Sequence, residues 1–183
     1  MDFHEVVRTR RSIRTFSAAD VPDALLNTLI DCAVRAPSSM NGQPWCFIVV
    51  RSDETKRRLA ETKDRYCPPG KQEYPAGFLR GAPVVVITCV DRARAFDRGI
   101  ESGVLATGHL LLAAANHGLA GVYMSAYKDG TPDVANEIRT ILGIPADIDP
   151  VTIVPIGYPG DAAEPKSLVP ADEVVFHEAF GRK

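Results

Sequence analysis

The run APVVVITCV at residues 82–90 constrains the fold more than any other stretch, because β-branched residues dominate it and it carries no charge. Such a run reads as a buried strand. WCFIVVR at 45–51 reads as a second buried strand, and LAGVYMS at 119–125 and PVTIVPIG at 150–157 as two more. Helical spacing of apolar residues marks 22–35, where Leu25, Leu26, Leu29, Ile30 and Ala33 recur. A short helix is expected at 2–8, with Phe3, Val6 and Val7 on one face, and a polar one from Asp53 to about Arg65. The most apolar helix spans 97–117, with Gly99, Ser102, Gly103, Ala106 and Gly108 on a small-residue side and Gly118 at its end. A last helix at 132–142 stops before Gly143. This mixed α and β order has no βαβαβ alternation at its start, which disfavours a doubly wound nucleotide fold.

The chain has 183 residues, the length of one domain, so 1–183 is read as a single unit. Its net charge of -2 gives no global attraction to nucleic acid or to an anionic membrane, so any anion site must be built locally. Cys32, Cys46, Cys67 and Cys89 are widely spaced and form no CxxC pair, so neither a disulfide framework nor a zinc site is expected. The start MDFHEVVRTRRS carries acids and no apolar stretch, so no signal peptide is expected. No apolar run approaches the roughly 20 residues of a membrane helix. The expectation is a soluble, cytoplasmic protein. The proline- and glycine-rich segment CPPGKQEYPAGFLRG, at 67–81, reads as a mobile loop.

Two stretches carry chemistry. Arg8, Arg10, Arg11 and Arg14 fall within seven positions, with Ser12 among them. Guanidinium groups match phosphate oxygens in bidentate geometry, and a hydroxyl can complete the shell. The alternative is a solvated basic helix end. Residues 36–45, APSSMNGQPW, crowd Ser38, Ser39, Asn41 and Gln43 between two prolines. Such a loop can meet the edge of a flat heterocycle at low ordering cost, or it can simply cap its own backbone. No GxGxxG or GxxxxGK[ST] motif occurs, so no stable dinucleotide or nucleoside triphosphate site is expected.

RRSIRTF followed by a helix and then APSSMNGQPW resembles the nitroreductase and flavin reductase family, whose members bind FMN. The resemblance implies an α+β fold, with a mainly antiparallel sheet flanked by helices in a three-layer α/β/α sandwich. It implies that Arg10, Arg11, Ser12 and Arg14 hold the FMN phosphate. Pro37, Ser38, Ser39, Asn41 and Gln43 would contact the flavin ring and ribityl chain, and Met124 and Ser125 would line its N5 edge. Lys166 looks like the late basic residue of the phosphate shell, although no distinctive motif surrounds it. The activity implied is NADPH or NADH oxidation by a ping-pong route, with electrons passed to a small aromatic, quinone or nitro-type acceptor. No side chain is nominated as catalytic and no metal is expected. A homodimer with FMN at its interface is implied, with the tail from about 166 to 183 crossing to the partner. The small-residue side of the helix at 97–117 suits close helix approach in such a dimer. Relatives of this fold that cleave flavin or dehalogenate aromatic rings are one alternative, for which Tyr66, Tyr74 and Phe78 are candidate lid residues. A non-catalytic FMN-binding module is the other.

Overall fold

A computed structural model describes residues 1–67, 75–127, 130–163 and 165–183. Helix α1 is Phe3–Thr9, α2 Asp23–Ala33, α3 Asp53–Arg65, α4 Gly99–Asn116, α5 Asp133–Leu142 and α6 Ala171–Val174. The strands are β1 Trp45–Val50, β2 Val84–Asp91, β3 Ala120–Gly121, β4 Met124–Ser125 and β5 Ile148–Gly157. They form one sheet in the order β1-β2-β5-β3, with β4 also on β5, and every strand pair is antiparallel.

Helices cover both faces, so β2 and β5 are buried on both sides, as uninterrupted apolar runs require. Val84, Val86, Val154 and Ile156 face α2 and α4 through Leu26, Leu29, Leu110 and Ala114. Val85, Ile87 and Ile153 face α3 and α5 through Leu59, Ala60, Val134 and Ile138. This is the three-layer sandwich. Where α4 crosses the sheet, Thr107 Oγ1 donates to the Gly103 carbonyl at 2.9 Å and meets Thr88 Oγ1 at 3.0 Å and Thr152 Oγ1 at 2.8 Å. These buried hydroxyls are therefore satisfied.

Several sequence expectations shift. Among the described residues the strand at 45–51 is an edge strand paired with β2 alone, and each of its faces carries one exposed residue, Cys46 on one and Val49 on the other. The strand at 119–125 splits into β3 and β4. Continuing the β3 register would set Val122 opposite Pro155, which has no N–H to give the ladder. Of the three apolar residues of α1, only Val6 is buried, while Phe3 and Val7 are exposed. The small-residue side of α4 is turned mostly to its own sheet. A Cβ at Gly103 would meet Val151 at 3.1 Å, and Ser102 and Ala106 are buried. Ile100 and Leu105 are the exposed apolar residues of that helix instead. In the 67–81 segment, residues 68–74, and Tyr74 with them, lie outside the described residues. Ala76–Gly81 is a 3₁₀ turn anchored by buried Ala76 and Leu79. Among the described residues, no helix is long and apolar enough to cross a membrane.

Candidate functional site

The arginine segment leaves α1 and joins the sheet. Ser12 bridges Gly121 in parallel, the Ile13 N–H donates to the Gly121 carbonyl at 3.3 Å, and Phe16 bridges Pro159. Arg10, Arg11 and Ser12 thus flank β3. Arg11 Nη1 donates to the carbonyls of Arg8 and Arg10 at 2.7 and 2.9 Å, which is the helix-end role a basic residue can play. The Arg14 guanidinium lies 5.8 Å from the ring centre of Phe78. Arg10, Arg11, Ile13, Leu119 and Gly121 line part of a cavity of about 310 Å³ at this edge. Gly121 is required there, since a Cβ would come within 2.6 Å of the Pro155 carbonyl oxygen.

Beyond Gly121 the chain runs into β4, where Met124 pairs with Ile153 and Ser125 with Thr152. Sequence reasoning missed the residue that secures this stretch. Lys63 of α3 donates from Nζ to the Ser125 carbonyl at 2.7 Å, and burial pulls its pKa below the usual lysine value. A lysine within a polar helix carries no sequence signal for such a role.

The second cluster is the loop before β1. Met40, Asn41 and Gln43 all have positive φ, at 49°, 53° and 45°. Left-handed non-glycine residues are strained, and three of them in four positions persist only when their surroundings hold them. Ser38 Oγ accepts the Gln43 N–H at 3.0 Å, and Gln43 Nε2 donates to Asn41 Oδ1 at 3.2 Å. Arg94 Nε donates to the Gly42 carbonyl at 3.2 Å. A Cβ on Gly42 would lie 2.1 Å from the Arg94 carbonyl oxygen and 2.9 Å from the Phe96 ring. The 92–98 segment is therefore the brace of this loop, and neither Arg94 nor Phe96 stood out in the sequence. Pro37, Asn41 and Gln43 remain exposed, with Ser38 and Ser39 half-buried. Trp45 is buried against Ala36 and Ala106, a core anchor beneath the loop.

The two clusters sit at opposite corners of the sheet. The loop adjoins Trp45, whose cross-strand partner Val90 pairs with Asp149, whereas Ser12 adjoins Gly121, whose partner Ile156 pairs with Val84. Four strand spacings separate them laterally, about 19 Å, and the six residue steps along β2 from Val84 to Val90 add about 20 Å lengthwise. The two clusters therefore lie on the order of 28 Å apart along that diagonal. Lys166 is exposed in the tail, away from any regular element. Among the described residues, no group of acidic, histidine or cysteine side chains has a metal-holding arrangement.

The chain belongs to the nitroreductase family: the family model described as "Nitroreductase family" matches residues 7–158, a span holding both clusters. Among its relatives is a Methanothermobacter thermautotrophicus protein carried under the provisional name NADH dehydrogenase/NAD(P)H nitroreductase, 31% identical over 95% of this chain and 86% of its own. Another is the iodotyrosine deiodinase of Thermotoga neapolitana, 28% identical over 94% of this chain and 95% of its own. A similar solved structure is the FMN-dependent nitroreductase of Clostridium difficile R20291, at a TM-score of 0.80 and 25% identity, covering 96% of this chain and 98% of that one.

The packing at Gly42 sets a first expected result. Gly42→Ala forces the loop off its brace without touching the core, so FMN should be held about fivefold more weakly, a loss of about 1 kcal/mol. The melting temperature of the FMN-free protein should fall as well, because the clash is with a backbone carbonyl oxygen and not with the end of a flexible side chain. Fluorescence titration beside a thermal melt separates the two effects.

Proposed function

We propose that this chain is an FMN-dependent NAD(P)H oxidoreductase of the cytoplasm that works as a homodimer. The observation that carries the reading is the edge at Gly121, where a guanidinium cluster and a serine hydroxyl are fixed beside a cavity by backbone pairing to the sheet. That donor set fits a phosphate monoester, and the exposed amides of Asn41 and Gln43 fit the edge of a flat heterocycle. Arg10, Arg11, Ser12 and Arg14 would hold the phosphate, with Lys166 as a further cation. Pro37, Ser38, Ser39, Asn41 and Gln43 would hold the ring and ribityl chain, and the backbone at Met124 and Ser125 would run along the ring. The bound flavin supplies hydride acceptance from the nicotinamide and electron delivery to the acceptor.

The chain's own contribution is position and charge. Lys63 fixes the Ser125 carbonyl, and so the path of β4. The arginine segment supplies fixed positive charge, and backbone N–H groups supply donors set in advance for negative charge. No side chain has to act as a strong acid or base. Donor and acceptor would use one open face in turn, the ping-pong order, and aromatic, quinone or nitro compounds are the acceptors that suit it.

The diagonal separation supports the dimer, since a second copy can lay its 38–43 loop beside the first copy's arginine segment. The tail at 165–183 is exposed along nearly its whole length, with Leu168, Val169, Val174 and Phe180 open to solvent. Such apolar exposure suits a segment that packs on a partner. The reading is tested by soaking the purified protein in FMN, desalting it and adding NADH or NADPH without oxygen. A yellow protein that bleaches with at least one donor is expected, at twice the chain mass of 19.8 kDa by light scattering. A preparation that stays colourless, or a flavin untouched by both donors, overturns the activity. A monomer that keeps its flavin overturns the shared site. Nitroaromatic, quinone and iodotyrosine acceptors offered afterwards sort the acceptor class, the last because a relative bears the deiodinase name.

A further inference from the structure

We propose that Cys46 and Cys89 form a reversible redox-modification site, in which Cys46 is oxidised by a hydroperoxide and Cys89 resolves it to a cross-strand disulfide. They lie 43 positions apart in the sequence, yet they are direct cross-strand partners on β1 and β2. Directly opposed residues of an antiparallel pair have Cα atoms about 4.5–5.5 Å apart, inside the range a disulfide spans. As a directly opposed pair their side chains share one face of the sheet, where the Cys89 thiol can donate to the Cys46 sulfur.

The two partners differ in the way an attacking and a resolving thiol must. Cys46 is exposed, whereas Cys89 is fully buried in the core cluster. The hydrogen bond from Cys89 holds the Cys46 pKa down to about 7, aided by Arg94 and opposed by partial burial and Asp91. The same contact, with burial, pushes the Cys89 thiol up, so the shared proton stays on Cys89. Near neutral pH roughly half of Cys46 is thus thiolate, the form that attacks. Opposed Cβ atoms stand about 1 Å wider than a relaxed disulfide prefers, so the strands must draw together. They have room to do so. Among the described residues β1 is an edge strand paired with β2 alone, and the register of β2 with β5 already shifts between Thr88 and Cys89. The residual strain makes the bond easy to reduce, which is the property of a switch rather than of a structural staple.

The chemistry balances. The Cys46 thiolate attacks the O–O bond of a hydroperoxide, so an S–O bond forms and the O–O bond breaks. The departing alkoxide takes up a proton and leaves as an alcohol, with Cys46 as its sulfenic acid. The Cys89 thiol then attacks that sulfur. An S–S bond forms, the S–O bond breaks, and water leaves with the Cys89 proton. Two thiols lose two electrons, and the hydroperoxide gains them. None of this depends on the flavin reading.

Purified full-length protein treated with tert-butyl hydroperoxide, alkylated and mapped without reduction should yield a peptide pair joined through Cys46 and Cys89, released by dithiothreitol. Cys46→Ser should leave Cys89 reduced at the same dose, and Cys89→Ala should leave a Cys46 sulfenic acid that dimedone traps. Because Cys89 is buried and its variant can fold poorly, a wild-type measurement stands beside it. At pH 7, iodoacetamide should alkylate Cys46 about tenfold faster than Cys32 or Cys67. The inference is overturned if Cys46 and Cys89 stay reduced at a dose that oxidises Cys32 or Cys67. Cys46 linked to another cysteine, or alkylation at equal rates, overturns it as well.

Discussion

Replacing both Arg10 and Arg14 by Ala should weaken FMN binding about a hundredfold or more, with each single change contributing about tenfold. A hydrogen bond to a charged group is worth about 1.5–3 kcal/mol, and 1.4 kcal/mol is a factor of ten. Arg10 and Arg14 stand two positions to either side of Ser12 and its bridge to Gly121, so both are placed near the same sheet edge. Arg10→Lys separates charge from geometry, because it keeps the cation but loses the planar fork. It should recover only part of the loss. Arg14→Ala also removes the contact with Phe78, so its melt must be compared with that of Arg10→Ala before the binding figure is read. Titration of FMN fluorescence in each FMN-free variant gives the answer. If both variants hold FMN within twofold of wild type, the phosphate lies elsewhere.

The second large effect belongs to Gly121. Gly121→Ala places a methyl group 2.6 Å from the Pro155 carbonyl oxygen and 3.2 Å from Leu111 Cδ2. Backbone cannot yield as a flexible side chain does, so the cost should be about 2 kcal/mol, in the usual range for overpacking. In a chain of this size that lowers the melting temperature by roughly 4–8 °C. The same residue accepts the Ile13 N–H through its carbonyl, so displacing β3 displaces the arginine segment. FMN affinity should fall together with stability. An unchanged melt would mean that the sheet edge gives way more easily than its packing indicates. A lowered melt with unchanged FMN affinity would separate the arginine segment from the cofactor.

The central strands were legible because β2 and β5 are buried on both faces, and that burial writes an uninterrupted β-branched run into the sequence. The break between β3 and β4 was not, because its cause is Pro155 on the neighbouring strand, and pairing is invisible in one dimension. The small residues of α4 were ambiguous for a related reason: a glycine-rich helix face fits a partner helix or its own sheet equally well. Only the contact of Gly103 with Val151 decides between them. At the candidate site the residue types could be read from RRSIRTF and APSSMNGQPW, but their placement could not. Lys63, Arg94 and Phe96 act through backbone carbonyls and packing, which leave no composition signal. The partnership of Cys46 with Cys89 is likewise a matter of register, hidden by the long interval between them.

The placement of the arginine segment and the 38–43 loop at opposite corners has a thermodynamic corollary. In the proposed dimer, a ligand gripped by both corners is gripped by two chains, so its retention becomes a function of total protein concentration. Diluting such a protein would shed ligand and separate the subunits in a single linked equilibrium, and excess ligand would in turn act as an assembly factor.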